Sequence, residues 1–134
     1  MDERRRYSTG TVWEQTAAYS RALQVGPHIY VAGTTAVDAS GRVVGQGDIA
    51  RQFHVCIDRI EQALAHFGAA RQHIVRTRVY LTDIGRFEDY ARAHGECFRG
   101  IEPVNTMVEV SALVHPDMLI EVEVDAYLPE DEAA

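Results

Sequence analysis

The sequence contains no lysine, since all 13 of its basic side chains are arginine. Covalent catalysis through an enzyme lysine, pyridoxal phosphate chemistry included, is therefore excluded. Cysteine is scarce as well: only Cys56 and Cys97 occur, both in segments of helical periodicity and outside the C-x-x-C spacing of zinc or redox sites. They read as buried free thiols. The six histidines show no H-x-x-x-H pair, so no metal site is expected. No G-x-S-x-G pattern places a serine nucleophile at a strained turn. No apolar run approaches the roughly 20 residues that cross a bilayer, and the charged start MDERRRYSTG leads into no apolar signal region. The expectation is a soluble cytoplasmic protein without membrane contact. A net charge of −7 withholds the basic surface that sequence-independent nucleic-acid binding requires. The Arg4-Arg5-Arg6 run is too short to reverse that balance and reads as a solvated tail.

What is present suits one domain. With 134 residues, of which 46% are hydrophobic, the chain can bury a substantial core. The reading divides it into an N-terminal tail (1–14), a domain (15–128) and a C-terminal tail (129–134). YSRALQV (19–25) and HIYVAG (28–33) flank the Gly26-Pro27 turn as a hairpin. DASGRVV (38–44) turns at Ser40-Gly41 and offers a short third strand. Asp48 is placed to cap a long helix ending at Gly68, in which Ile49, Phe53, Cys56, Ile57, Ile60, Leu64 and Phe67 recur at three- and four-residue steps. IVRTRVYLTD (74–83) alternates Val75, Thr77, Val79 and Leu81 against Arg76, Arg78, Tyr80 and Thr82, the period of a strand with one covered face. A second helix runs from Phe87 to Phe98. Strands from Asn105 to Ser111 and from Met118 to Leu128 close the chain. The order predicts an α+β domain with a mixed sheet of five to six strands and two helices on one face.

Two helices leave the other face bare. Alternation assigns Arg76, Arg78, Tyr80, Met107, Glu109, Glu121 and Glu123 to it. Such a face is either a solvated sheet surface or a subunit interface where sheets from several copies meet and leave clefts between neighbours.

Certain residues, in this order, resemble a known family. They are Tyr19-Ser20 before an apolar strand, Val31-x-Gly33, Asp38 and Gly41 in the next turn, Gly68-Ala69, the strand Val75 to Asp83, and Pro103 leading to Val108-Glu109-Val110 and Ile120-Glu121-Val122-Glu123. Over about residues 15–128 the sequence resembles the Rid family, also called YjgF-like. The resemblance implies a fold like that of chorismate mutase and a homotrimer with three intersubunit clefts. It also implies hydrolysis of 2-imino acids and their enamine tautomers to 2-keto acids and ammonia, with no metal or organic cofactor. Carried onto this chain, the water-positioning glutamate falls on Glu121, the second-strand glycine on Gly33, and the tyrosine and serine on Tyr19 and Ser20. The arginine that holds the substrate carboxylate falls on Asn105, a neutral amide lacking the two parallel charged hydrogen bonds of a guanidinium. The family's glutamine, proline and second-helix asparagine fall on Thr34, Ala36 and Ala91.

The candidate site is therefore Glu121 as the catalytic carboxylate, with Tyr19, Ser20, Gly33, Thr34, Asn105 and Met107 around a small-molecule ligand. Glu121 reads equally as a structural carboxylate paired with Arg76 or Arg78. Arg78 or Arg21 could restore the lost positive charge, or each could sit in an ion pair with a glutamate. His94 is the histidine nearest to a functional placement. Trp13 packs over a cleft mouth or simply against the fold. The expected function is binding of an imine, enamine or related carbonyl compound in clefts of a homotrimer, distinct from standard 2-imino acid deamination. The alternatives are cofactor-independent hydrolysis through a water held at Glu121, and a non-catalytic protein-interaction trimer.

Overall fold

A computed structural model of the chain describes residues 3–132. The Gly26-Pro27 turn joins strand β2 (Ala22–Val25) to β3 (His28–Thr35) with Val25 opposite His28. Gly26 takes φ 59°, which suits a residue without Cβ. From β3 the chain passes through helix α2 (Ile49–His66) to β4 (Ile74–Leu81), then through α3 (Phe87–Phe98) to β5 (Val104–Glu109), and β6 (Ile120–Tyr127) ends the sheet. β4 and β5 pair in parallel, while β6 lies antiparallel between β3 and β4. Both α2 and α3 are thus crossovers between parallel strands, and the right-handedness of such connections puts both on one side. Asp48 caps α2 as expected, its carboxylate accepting from Arg51 N at 3.1 Å.

The sixth strand is β1 (Arg4–Tyr7), and the sheet order is β1-β2-β3-β6-β4-β5. The solvated-tail reading of the arginine run is corrected here. Arg5 donates to Gln24 Oε1 at 2.9 Å and lies 5.6 Å from the centre of the Phe67 ring, so its stem covers core while its head finds partners. β1 also occupies the free edge of β2 from Arg4↔Val25 to Tyr7↔Ala22. A short helix α1 (Val12–Ala17) follows, started by a capping box between Thr11 and Glu14.

The third strand expected over 38–44 is reduced to one bridge between Val37 and Val43. Asp38 Oδ1 accepts from Ser40 N, Ser40 Oγ and Arg42 N and so bends the backbone into a turn. In β4 a bulge between Ile74 and Arg76 buries Ile74 and leaves Val75 49% exposed, against the alternation expected of Val75.

The core lies between the sheet and α2 with α3. Ile29, Val31, Val79, Val122 and Val124 meet Phe53, Ile57, Ile60, Tyr90 and Phe98 there. Gln52, fully buried, donates to Asp117 O at 2.9 Å and accepts from Leu119 N at 2.8 Å, which ties the loop before β6 to α2. Among the described residues no helix is long and apolar enough to cross a membrane. Among the described residues the one other α-helix is the six-residue α1.

Candidate functional site

The pairing of β3 with β6 passes from Val31↔Val124 to Thr34↔Val122, so three steps on one strand match two on the other. This bulge holds Ala32 and Gly33. Glu121 points at it: a Cβ placed on Gly33 would overlap Glu121 Oε2 outright and lie 3.0 Å from its Cδ. A side chain at this position would displace the Glu121 carboxylate from its present place. Burial raises the Glu121 carboxyl above the ordinary carboxylate range, Arg21 opposes that shift and Glu123 adds to it. The result is a half-buried carboxylate with increased basicity.

Arg21 closes the bulge from the β2 side. Its Nη2 donates to Gly33 O at 2.7 Å, Ala32 O at 3.0 Å and Thr34 Oγ1 at 3.2 Å. Its guanidinium carbon is 5.9 Å from the centre of the Tyr19 ring. From α2, Arg59 Nη1 donates to Thr35 O at 2.7 Å. Burial first, then the nearby Arg21 charge, lowers the Arg59 pKa.

Arg78 is committed elsewhere. It pairs with Asp125 at 3.3 Å and Glu123 at 3.6 Å, while Arg76 reaches Asp125 at 3.8 Å. Tyr80 also donates its hydroxyl to Glu123, and that bond, followed by burial, pushes the phenol up to about 12. These ion pairs cross the open face between β4 and β6. Arg78 is therefore already neutralised and Glu121 is free of both Arg76 and Arg78.

Asn105 lies on the other side of the sheet. In parallel register it stands beside Thr77, and Met107 beside Val79, so both share the helix-covered face with buried Thr77 and Val79. The open-face assignment of Met107 and Glu109 is corrected accordingly. Parity in β5 follows its partner β4, and no apolar alternation in β5 itself reveals it. Met107 packs at the core margin, and Glu109 Oε1 accepts from Ile84 N at 2.9 Å. Asn105 Nδ2 donates to Thr77 Oγ1 at 2.9 Å and Tyr90 OH at 3.0 Å. Thr77 Oγ1 in turn lies 2.9 Å from His94 Nε2. Burial lowers the His94 pKa, which favours the neutral ring. With Nδ2 committed, Asn105 presents Oδ1, an acceptor, to its surroundings.

Glu121, Gly33 and Thr34 thus meet at the β3 bulge and Tyr19 and Ser20 line the groove beside Ala32, while Asn105 and Met107 lie on the covered face. A shallow groove of about 590 Å³ runs over the open face past Tyr19, Ser20, Tyr30, Arg4, Arg6 and Arg78. A recess of about 230 Å³ lies at His94, Phe98 and Pro103, on the covered side. Cys56 is pushed up to about 12 by burial and Cys97 is raised by burial too, which suits neither thiol to nucleophilic chemistry. Trp13 is 63% exposed. Among the described residues no three His, Cys, Asp or Glu side chains converge as metal ligands. Sequence reasoning missed Arg59, Thr77 and Tyr90. The sequence signal for Arg59 was its charge within a helix turn otherwise given to Cys56, Ile57 and Ile60.

A mixed six-stranded sheet with two crossover helices on one face is the architecture of YjgF-like domains. The chain belongs to the endoribonuclease L-PSP family, which also carries the YjgF name, with residues 10–128 matching the family model. A Streptomyces coelicolor protein, SCO2049, is 35% identical over 123 residues, 92% of this chain and 91% of its own. The RutC family protein PYRAB12510 of Pyrococcus abyssi is 37% identical over 109 residues, 81% of this chain and 85% of its own. Among solved structures, Rv2704 of Mycobacterium tuberculosis, of the YjgF/YER057c/UK114 family, superposes with a TM-score of 0.85 at 42% identity, covering 94% of this chain and 100% of that one. PA3499 of Pseudomonas aeruginosa does so with a TM-score of 0.83 at 31% identity, covering 100% and 99%.

Proposed function

We propose that three copies of this chain assemble with their open sheet faces inward and bind a small imine, enamine or related carbonyl compound in the clefts between neighbours. The observation that carries this reading is the placement of Glu121 and Asn105 on opposite faces of one sheet. A small ligand cannot touch both within one chain. β5 is an edge strand, however, so a neighbour packed along it can bring its own Glu121 to Asn105.

The chemistry follows from the two groups. The basic Glu121 carboxylate takes a proton from a bound water as the water oxygen attacks the carbon of a C=N bond. Protonated Glu121 returns that proton to the nitrogen, which gives the carbinolamine; the carboxylate then takes the carbinolamine hydroxyl proton as the C=O bond forms and passes it to the departing nitrogen, so that the C–N bond breaks and ammonia leaves. Asn105 Oδ1 accepts a hydrogen bond from the substrate N–H. It offers no cation, so a carboxylate gains nothing at that end of the cleft. The net charge of −7 works against an RNA substrate, whose phosphates need a basic surface. A cytoplasmic setting, where reactive imines arise, fits this reading.

The test is a coupled assay in which 2-iminopropionate is generated in situ and its hydrolysis to pyruvate and ammonia is followed. Turnover is expected, and Glu121→Gln should lower it at least a hundredfold. It should also fall about 1.5 to 3 decades below that of relatives with arginine at the Asn105 position, the scale of losing a desolvated bidentate contact. Turnover that survives Glu121→Gln would refute the assigned role.

A further inference from the structure

Asn105, the sole asparagine of the sequence, is an exposed residue with one end of its amide held. Nδ2 donates to Thr77 Oγ1 at 2.9 Å and to Tyr90 OH at 3.0 Å, while Oδ1 has no partner among the described residues. Behind it Thr77, fully buried on β4, lies 2.9 Å from His94 Nε2. Side chains from β5, β4 and α3 thus form one hydrogen-bonded chain. His94 is also a wall of the recess of about 230 Å³ that Phe98, Arg99, Glu102 and Pro103 complete. Its Nδ1 has no partner among the described residues, and no buried side-chain nitrogen there is left without one, so Nδ1 reaches solvent.

Each hydroxyl in this chain carries one proton, so every group is satisfied in two directions and no others. In the first, Thr77 gives its proton to a bare His94 Nε2 and receives the Asn105 amide, which spends both Nδ2 protons inward and turns Oδ1 outward. In the second, Nε2 carries a proton and donates it to Thr77. The Thr77 proton then turns to Asn105, whose amide is reversed, with Oδ1 inward and Nδ2 outward. A proton on Nε2 with Nδ2 still inward would leave the buried Thr77 hydroxyl without an acceptor, at a cost. A charged ring, protonated on both nitrogens, therefore permits only the second direction. The amide stands as in the first. Facing the ring are the Tyr90 phenol, which burial raises, and Arg99 and Glu102 at the recess, while Phe53 of α2, Thr77 of β4 and Asn105 of β5 carry no charge. Burial lowers the His94 pKa and so acts in favour of the first direction.

We propose that Thr77 and His94 are positioning residues that fix the polarity of the Asn105 amide, so that the β5 end of the cleft selects a ligand group that donates a hydrogen bond, an imine or amide N–H, over one that only accepts. The proposal rests on the reading of the cleft given above and adds the groups that decide what Asn105 admits. His94 makes the selection reversible. A proton on its ring turns the chain round, and Asn105 then offers Nδ2 to an acceptor.

The test titrates the intact protein with two neutral probes of matched size: 2-pyrrolidinone, whose ring N–H donates, and γ-butyrolactone, which has an oxygen in that place. The lactam should bind about tenfold more tightly, the scale of one hydrogen bond. Thr77→Val and His94→Phe should each erase that preference, and Thr77→Ser, which retains the hydroxyl, should keep it. Phenylalanine suits the second site as a ring among rings, those of Phe53, Tyr90 and Phe98 lying 5.6, 5.8 and 4.6 Å from that of His94. Labelling asparagine with ¹⁵N shows its one side-chain amide directly. Both Nδ2 protons should exchange slowly with water in the parent and in Thr77→Ser, and faster in Thr77→Val. Below the ordinary histidine value of 6.5 the lactam preference should shrink in the parent and stay absent in His94→Phe. Rapid amide exchange in the parent, lactone binding as tight as that of the lactam, or a preference that survives Thr77→Val would each overturn the proposal. Should neither probe bind, the selection at Asn105 falls; the cleft reading then stands if imine hydrolysis still depends on Glu121 and falls if it does not.

Discussion

Gly33 and Glu121 are coupled by exclusion: the carboxylate occupies the volume a side chain would need. Its raised pKa has two consequences of known sign. As a base it works only when ionised, so the acid limb of kcat/KM should fall above the ordinary carboxylate range and disappear in Glu121→Gln. As a linked group it stabilises the fold fully below the unfolded carboxylate pKa of about 4.5, and that contribution is lost as pH rises through the higher folded value. Glu121→Gln should therefore raise the melting temperature at neutral pH while removing activity, an exchange found where a site holds strain. A lowered melting temperature would mean that Glu121 is structural. Asn105→Arg tests the other end of the cleft. The native Asn105 is bound to Thr77 and Tyr90 in a network that includes neutral His94, and an arginine breaks that arrangement. Little recovery of imine hydrolysis is expected, since a catalytic group must be held within about 0.5 Å by its surroundings. Recovery to the rates of arginine-bearing relatives, abolished by adding Glu121→Ala, would show that Asn105 alone separates the two activities.

Among the elements, the β1–α1 segment depends on one buried carboxylate. Glu14 is 4% exposed and collects Ser8 Oγ at 2.6 Å, Thr9 Oγ1 at 2.5 Å, Thr9 N at 3.1 Å and Thr11 Oγ1 at 2.9 Å. Burial pushes its pKa up, but the hydrogen bonds from Ser8, Thr9 and Thr11 prevail and hold it down at about 2. The sign is opposite to that of Glu121. Glu14 stabilises the fold above pH 4.5 and loses that effect as pH falls towards 2. Glu14→Gln should cost about 1–3 kcal/mol near neutrality, the scale of leaving such donors unmet. It should also flatten the decline of melting temperature between pH 4.5 and pH 2. An unchanged acid profile would place the linkage elsewhere.

At the scale of the molecule, the proposed trimer makes the open face its interface. Tyr30 is 46% exposed, Val104 56% and Val108 43%, beside the ion pairs of Arg76 and Arg78. Apolar side chains alternating with pre-paired charges suit a face that meets a copy of itself, because the charges enter the interface already neutralised. Light scattering should return the mass of a trimer. Glu substituted at Val104 or Val108 should shift the equilibrium to monomer at low micromolar concentration and reduce imine hydrolysis in parallel. A parent protein that is monomeric would leave Asn105 and Glu121 unable to share a ligand.

Periodicity and turn chemistry by themselves determined most of the architecture. The apolar steps of α2, its Asp48 cap, the Phe87–Phe98 helix and the alternation of β6 are local patterns, each legible because one face of an element is buried. The motif order likewise determined the family, whose model matches residues 10–128. Tertiary structure decided the rest. β1 formed from three arginines because β2 had an edge to fill and Phe67 a ring to cover, neither visible in RRRY. Bulges moved Val75 outward and opened Gly33 to Glu121, and strand alternation cannot foresee an inserted residue. Parallel pairing with β4 carried Asn105 and Met107 to the covered face. The arginines divided the same way: sequence supplied equal charges, and distance to Asp125 and Glu123 paired Arg78 with carboxylates across the open face while Arg21 turned to the backbone carbonyls of the β3 bulge. An ion pair depends on separations of a few ångströms between elements remote in sequence, and only the folded sheet sets them.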